Sequence, residues 1–272
     1  EPVVDMPELT KKYRGYYLTE DEYSQVQSHI ASGKLKRDEI KQYLGFISLM
    51  RHERLVNFVA SYYNLDPMSI FQIINQESAF SIRAVGPFKE RGLGQHTIKK
   101  ANELIKKVTD TENELYYPYI NSKDFSFTKL SKNYKLDIVM VAVGLKVAEC
   151  NLERAMEGEG MTREDLAETV KELGSTSNFS YIRKGENTDF KFYKLSKRSV
   201  KRINKLWENY EIDEKDLTYL AYNGGKDSVH NLLRKRIISE VLLVNFTTYS
   251  ERKPILDKFL SLYHELNEEE TQ

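Results

Sequence analysis

Glu77 is a carboxylic acid placed where carboxylic acids are costly. Ile70, Ile73 and Ile74 precede it by seven, four and three residues, spacings that put them on one helix face with it. A face carrying isoleucines turns inward. A carboxyl group on it loses solvent, which favours its neutral form. The last turn of the helix lies at the negative end of the backbone dipole and pushes the same way. A glutamic acid that stays protonated near neutral pH is what a general acid requires. The same placement suits a Glu paired with a Lys or Arg, and spacing alone does not separate the two.

Other chemistry-bearing residues follow in sequence. After Glu77-Ser78-Ala79-Phe80 comes a stretch, 81–96, whose Gly86, Pro87, Gly92 and Gly94 mark it as a loop. It closes on Arg91-Gly92-Leu93-Gly94-Gln95. Far downstream, Leu220-Ala221-Tyr222-Asn223-Gly224-Gly225 ends in a turn signal. His29, His52, His96, His230 and His264 show no metal-ligand spacing. Cys150 is the single cysteine, which excludes an internal disulfide and a Cys-based zinc site. The Gly92–Gly94 pair is not a phosphate loop, since no strand precedes it and no Gly-Lys-Ser/Thr follows. No cofactor and no metal are expected.

The elements that must position these residues read mostly as helix. Residues 1–18 look irregular. Thr19 followed by Glu20, Asp21 and Glu22 is a cap with acids in the first turn, and predicts a helix to about Ala31. Lys36 to about Tyr63 reads as one or two helices. Asp66 and Pro67 are a good N-cap and first residue for a helix that should end near Ser78. Thr97 to Val108 is helical, 109–134 is a Tyr-, Asn- and Ser-rich excursion, and Asp137 to Met156 is a strongly apolar helix. Thr162 to Leu173 is a further capped helix. Alternation around Gly185-Glu186-Asn187 suggests a small β-hairpin. Helices are expected over 196–210, 213–222, 227–243 and 252–266, with a turn at Asn223-Gly224-Gly225.

Composition narrows the function classes. The chain has 272 residues, 40% of them hydrophobic and 30% charged, so it buries a core rather than remaining disordered. Lys plus Arg equals Asp plus Glu at 41 each, and zero net charge argues against binding nucleic acid through bulk electrostatics. A basic run, Lys191, Lys194, Lys197, Arg198, Lys201, Arg202 and Lys205, has Phe192 and Tyr193 between its members. It reads as a solvated helix face, a nucleic-acid patch or a surface for anionic cell-wall polymer. No apolar run reaches the roughly 18 residues that a membrane helix needs. Eighteen tyrosines and 12 phenylalanines against one tryptophan suit core packing and also sugar faces. Tyr116, Tyr117 and Tyr119 are candidates for either role. The chain opens on Glu1 rather than Met, so an export signal would lie outside it.

Glu77-Ser78, the Gly92-Leu93-Gly94-Gln95 loop and the Ala221-Tyr222-Asn223-Gly224 turn together resemble the soluble lytic transglycosylase family (SLT domain), relatives of goose-type lysozyme. That family carries a Glu-Ser pair at a helix end, then a Gly-Leu-Met-Gln loop, then an Ala-Tyr-Asn-x-Gly turn. Thr248-Tyr249 is similar to a fourth family element, and Asp137 to Leu152 resembles its buried central helix. The resemblance spans roughly 55–265. It departs from the pattern at Gly94, which replaces the family Met, and at Gly86-Pro87, where the family often has Ser-Pro.

The resemblance implies a mainly α, lysozyme-like catalytic domain over 51–267. An N-terminal helical extension would fill 1–50 and an insertion about 155–215, the latter a candidate contact for a protein partner. It implies cleavage of the MurNAc–GlcNAc β-1,4 bond of peptidoglycan, outside the cytoplasm, in the periplasm or cell envelope. Glu77 would act alone, first as acid on the leaving oxygen, then as base on the muramoyl 6-hydroxyl to close a 1,6-anhydro ring. Ser78, Gly92, Leu93, Gln95, Tyr222, Asn223 and Tyr249 would contact or frame the substrate. Two alternatives stay open. A muramidase using water would need a second carboxylate, and Glu90 is the only acid in the loop. A non-catalytic member would bind glycan without cutting it.

Overall fold

Capping chemistry sets most helix boundaries. The structure is a computed structural model and describes residues 16, 18–175, 181–184, 190–193, 201, 205, 212, 214–235 and 240–268. Helix α1 (Glu20–Ala31) opens on a capping box: Thr19 Oγ accepts from Glu22 N, and the Glu22 carboxylate accepts from Thr19 N. Helices α2 (Ile40–Met50) and α3 (Glu53–Tyr62) share the next stretch, with the break at Arg51 and His52. Helix α4 (Pro67–Ser78) begins as its sequence predicts, Asp66 accepting from Met68 N at 3.0 Å ahead of Pro67. Its end is unusual. Ala79 adopts left-handed geometry at φ 48° and Phe80 follows at φ 63°. The Phe80 ring is wholly buried, and that burial offsets the cost of the turn.

Thr97 caps α5 (Ile98–Thr109) by accepting from Lys100 N. Two short 3-10 turns in the excursion, Ser122–Asp124 and Phe127–Lys129, pack on α5. Helix α6 (Tyr134–Glu159) begins three residues earlier than its apolar run, because Tyr134 and Lys135 extend the first turn. Helix α7 (Arg163–Ser175) follows. Strand β1 (Tyr181–Lys184) pairs antiparallel with β2 (Phe190–Tyr193), Tyr181 opposite Tyr193. That is the anticipated hairpin; its turn, residues 185–189, lies outside the described residues. So do the first residues up to 15 and most of the helix expected over 196–210.

One expectation about the C-terminal helices changes, that for α9. The stretch labelled α8 (Leu217–Lys235) is two helical segments that meet at a kink within Asn223-Gly224-Gly225, where the turn was expected. Gly225 alone is non-helical, at φ 68° and ψ −179°, a conformation that favours glycine. Helix α9 (Glu240–Glu268) is unbroken where separate helices were expected. Its buried face explains why: Leu242, Phe246, Tyr249, Leu256, Phe259 and Leu262 are all at most 4% exposed. Burial along that face outweighs Pro254, an interior proline that costs about 3 kcal/mol in an ordinary helix. Among the described residues the fold is mainly α.

The chain packs as two compact units. One consists of the described residues up to Val141 together with those from Lys253 onward; the other is Ala142–Arg252. The boundaries fall inside α6 and α9. In the first unit, the Phe46 ring lies 5.2 Å from Phe80 and 5.7 Å from Phe259, and Tyr43 lies 5.0 Å from Phe259. Gly45 permits this: a Cβ there would come 2.7 Å from the Phe80 carbonyl oxygen. Lys258 pairs with Glu39, and Lys34 with Glu265 at 2.6 Å. In the second unit the Tyr219 and Tyr249 rings stack at 4.3 Å, with Phe246 stacked at 6.0 Å from Tyr249. Helix α7 packs on α8 there, and Arg163 reaches Thr218 Oγ1 at 3.3 Å.

Candidate active site

Helix α4 delivers the acid. Ile70, Ile73 and Ile74 are buried, as the shared face requires, and Glu77 sits half-buried in the last turn with Oε1 out of solvent. Ser78 is buried beside it, and its hydroxyl donates to Ile74 O at 3.0 Å, closing the helix end. One turn back, the buried Asn75 accepts from Gln42 Nε2 at 2.8 Å, which ties α4 to α2.

The loop that follows is tightly folded. Arg91 and His96 exchange backbone hydrogen bonds at 3.0 and 3.1 Å, pinching off residues 92–95. Gln95 Nε2 donates to Ala84 O at 3.1 Å and to Gly92 O at 2.8 Å, so its side chain braces the loop from within. Gly92 has φ 80° and Gln95 φ 47°. The Leu93 side chain is fully buried and its N–H donates to Asp137 Oδ2. What Leu93 can offer a ligand is therefore its backbone carbonyl. Glu90 is half-buried, and its Oε2 accepts from Phe88 N at 2.8 Å, capping its own turn.

Asp137 is the residue that motif reading passes over. It is wholly buried, at the head of the apolar run of α6. Burial pushes its pKa well above the usual carboxylate range, and the N–H groups of Leu93 and Gly94 moderate the rise. A lone acid opening an otherwise apolar stretch is the signal that could have found it. His96, at the loop's far end, is driven down to about 3 by burial, with the nearby Lys100 charge adding.

The second unit holds the remaining residues. Tyr222 and Asn223 are half-buried on α8, and Asn223 Oδ1 accepts from Asn245 Nδ2 at 2.8 Å. Tyr249 is buried, and its hydroxyl donates to the buried Asp216 at 3.1 Å. Asp216 is a second carboxylate that no motif marked. The structure thus places Glu77, Ser78, Gly92, Leu93 and Gln95 in one unit, and Tyr222, Asn223 and Tyr249 in the other.

The tyrosines of the excursion divide between roles. Tyr117 is core. Its neighbour Tyr116 gives its carbonyl to the Tyr62 hydroxyl at 2.8 Å. Tyr119 is 60% exposed and forms an open aromatic patch with Phe58 and Tyr62. Of the basic run, Lys201 and Lys205 are exposed and the other side chains lie outside the described residues. Among the described residues no helix is long and apolar enough to cross a membrane.

Residues 54–136 match the family model of the transglycosylase SLT domain. This stretch is a transglycosylase SLT domain. The matched residues carry two of the three motifs that resemble the soluble lytic transglycosylase family. The SLT domain runs from α3 to the first turn of α6 and takes in Glu77, Ser78 and the Gly92–Gln95 loop. Tyr222, Asn223 and Tyr249 fall beyond the SLT match. Neither a curated protein nor a solved structure matches the chain.

Proposed function

We propose that this protein is a peptidoglycan lytic transglycosylase with Glu77 as its single general acid and base. The observation that carries the reading is the SLT domain over 54–136 with an acid on the buried face of α4, one residue before a buried serine. Glu77 protonates the bridging oxygen, which departs with GlcNAc as the MurNAc–GlcNAc β-1,4 bond breaks. The substrate's own N-acetyl group stabilises the oxocarbenium-like centre. The Glu77 carboxylate then takes the proton of the muramoyl 6-hydroxyl, and that oxygen closes the 1,6-anhydro ring. The step balances: Glu77 gives one proton to the departing oxygen and regains one from the 6-hydroxyl, so it ends protonated as it began.

The supporting residues divide by what they can reach. Gly92 and Leu93 act through backbone groups, and Gln95 braces their loop. Ser78 orients the helix end that carries Glu77. We read Tyr222, Asn223 and Tyr249 as substrate contacts on the strength of their motifs; the Tyr249 hydroxyl donates to Asp216. The engagement of Glu90 with its own turn favours the one-acid scheme over a water-using muramidase. We read 1–50 as a helical extension, 51–267 as the catalytic domain and 155–215 as an insertion that could meet a protein partner. Such an enzyme works outside the cytoplasm, on the cell wall.

The test is a digest of purified peptidoglycan by the protein and by Glu77→Gln, read by mass spectrometry. Fragments ending in 1,6-anhydro-MurNAc are expected. The variant should lose about 100-fold or more of the rate, the scale of a positioned general acid. Reducing-end products would replace the reading with a hydrolase. Binding without products would replace it with a glycan-binding module.

A further inference from the structure

We propose that Asp137 is a positioning residue of this site: its buried carboxyl anchors the Gly92–Gln95 loop to helix α6. The functional part of the inference rests on the proposed transglycosylase reading; the structural part does not. Three observations converge on it. First, the carboxyl accepts from the Leu93 N–H, with the Gly94 N–H as a second backbone partner. Second, Gly92 lies so close that a Cβ would collide with all three atoms of the carboxyl group, at φ 80° where side chains are already strained. Loop and acid are fitted to each other. Third, Asp137 is wholly buried, so it cannot itself touch a glycan.

The other constraints on the loop do not replace this one. The Arg91–His96 pair closes its neck, and Gln95 ties Gly92 O to Ala84 O. Both act on the loop's own strands. Among the hydrogen bonds described for residues 92–95, the bond to Asp137 reaches an element more than 40 residues away, at a separation of 44. It consumes N–H groups that would otherwise be buried and unmatched. With those groups committed to Asp137, and with Gly92 O already accepting from the Gln95 N–H and Nε2, the loop's backbone is fixed from both sides. The oxygen that does not bind Leu93, Oδ1, accepts no hydrogen bond from any described residue. Asparagine could therefore keep the acceptor toward the loop and place its amide at Oδ1.

The experiment compares Asp137→Asn and Asp137→Leu, side chains of similar size that differ in carrying an acceptor. Amide hydrogen exchange at Leu93 and Gly94 is the first readout and needs no substrate. Asp137→Leu should speed both by about tenfold or more while amides of α4 and α5 keep their protection, the pattern of local opening. Asp137→Asn should recover most of the protection. The second readout is cleavage of soluble glycan chains. Asp137→Leu should lower kcat by about tenfold or more with a smaller change in KM, and Asp137→Asn should recover most of it.

Gly92→Ala approaches the same contact from the loop side. It should speed exchange at Leu93 and Gly94 even if Asp137→Leu does not fold. Wild-type protection in Asp137→Leu, or equal loss in the Asn and Leu variants, would overturn the inference. So would unchanged protection in Gly92→Ala. If the wild-type protein cuts no glycan but its loop amides respond as expected, the transglycosylase reading fails and the anchor stands. Normal cleavage with unresponsive amides would mean the reverse.

Discussion

Buried polar side chains set the chemistry at the residue scale, and they make opposite demands on pH. His96 is held neutral by burial, with its pKa pushed from 6.5 to about 3. Between those values the folded protein binds fewer protons than the unfolded chain, so stability rises with pH across that window and falls on acidification. His96→Gln should flatten the acid limb, which urea midpoints at about pH 4, 5 and 7 would reveal. Asp137 has the opposite sign. Its pKa is raised, so the stability it lends is complete below the ordinary aspartate value and is lost as pH rises through the raised one. Asp137→Asn should therefore gain on the wild type as pH increases. Tyr249→Phe removes a donor from the buried Asp216 and should cost about 1–3 kcal/mol in chemical denaturation. Glu77 and the loop motif could be read from the sequence, because apolar spacing and glycines leave a local signature. Asp137 left only the trace of a lone acid opening an apolar run and Asp216 left none, since what defines each is a partner 44 or 33 residues away.

At the scale of elements, the bounds of α1 and α4 were legible at both ends, while the geometry of the exit from α4 was not. Thr19 and Asp66 cap as their side chains predict, because an N-cap is a local hydrogen bond. The left-handed exit from α4 carries no such mark. Ala79 and Phe80 turn left-handed because the Phe80 ring is drawn into a cluster with Phe46 and Phe259, a tertiary cause. The same logic keeps α9 whole across Pro254. The tightest point among these contacts is the close approach of α2 to the α4 exit. Gly45→Ala should force the Phe80 backbone to shift and cost about 1–3 kcal/mol, the range for overpacking. Thermal unfolding of the variant checks it; a melting point at or above the wild type would show that the turn yields freely.

For the whole molecule, the distinctive fact is that the unit holding Glu77 is built from both ends of the chain. Lys258 meets Glu39 across 219 residues of sequence. Phe259 completes a ring cluster begun by Tyr43 and Phe46. Phe259→Ala should cost about 3–5 kcal/mol and expose α2 amides to exchange, although the substitution lies far from every motif. No sequence pattern announces such a closure, because an apolar helix face does not name what it will cover. The consequence reaches into synthesis. As the chain leaves the ribosome, the acid, its loop and the buried Asp137 all emerge before the strand of sequence that seals their core. The intervening 142–252 unit is contiguous and can close first. The newborn chain therefore carries its proposed acid on an unfinished scaffold until α9 arrives, an interval in which apolar surface stays open to chaperones and proteases.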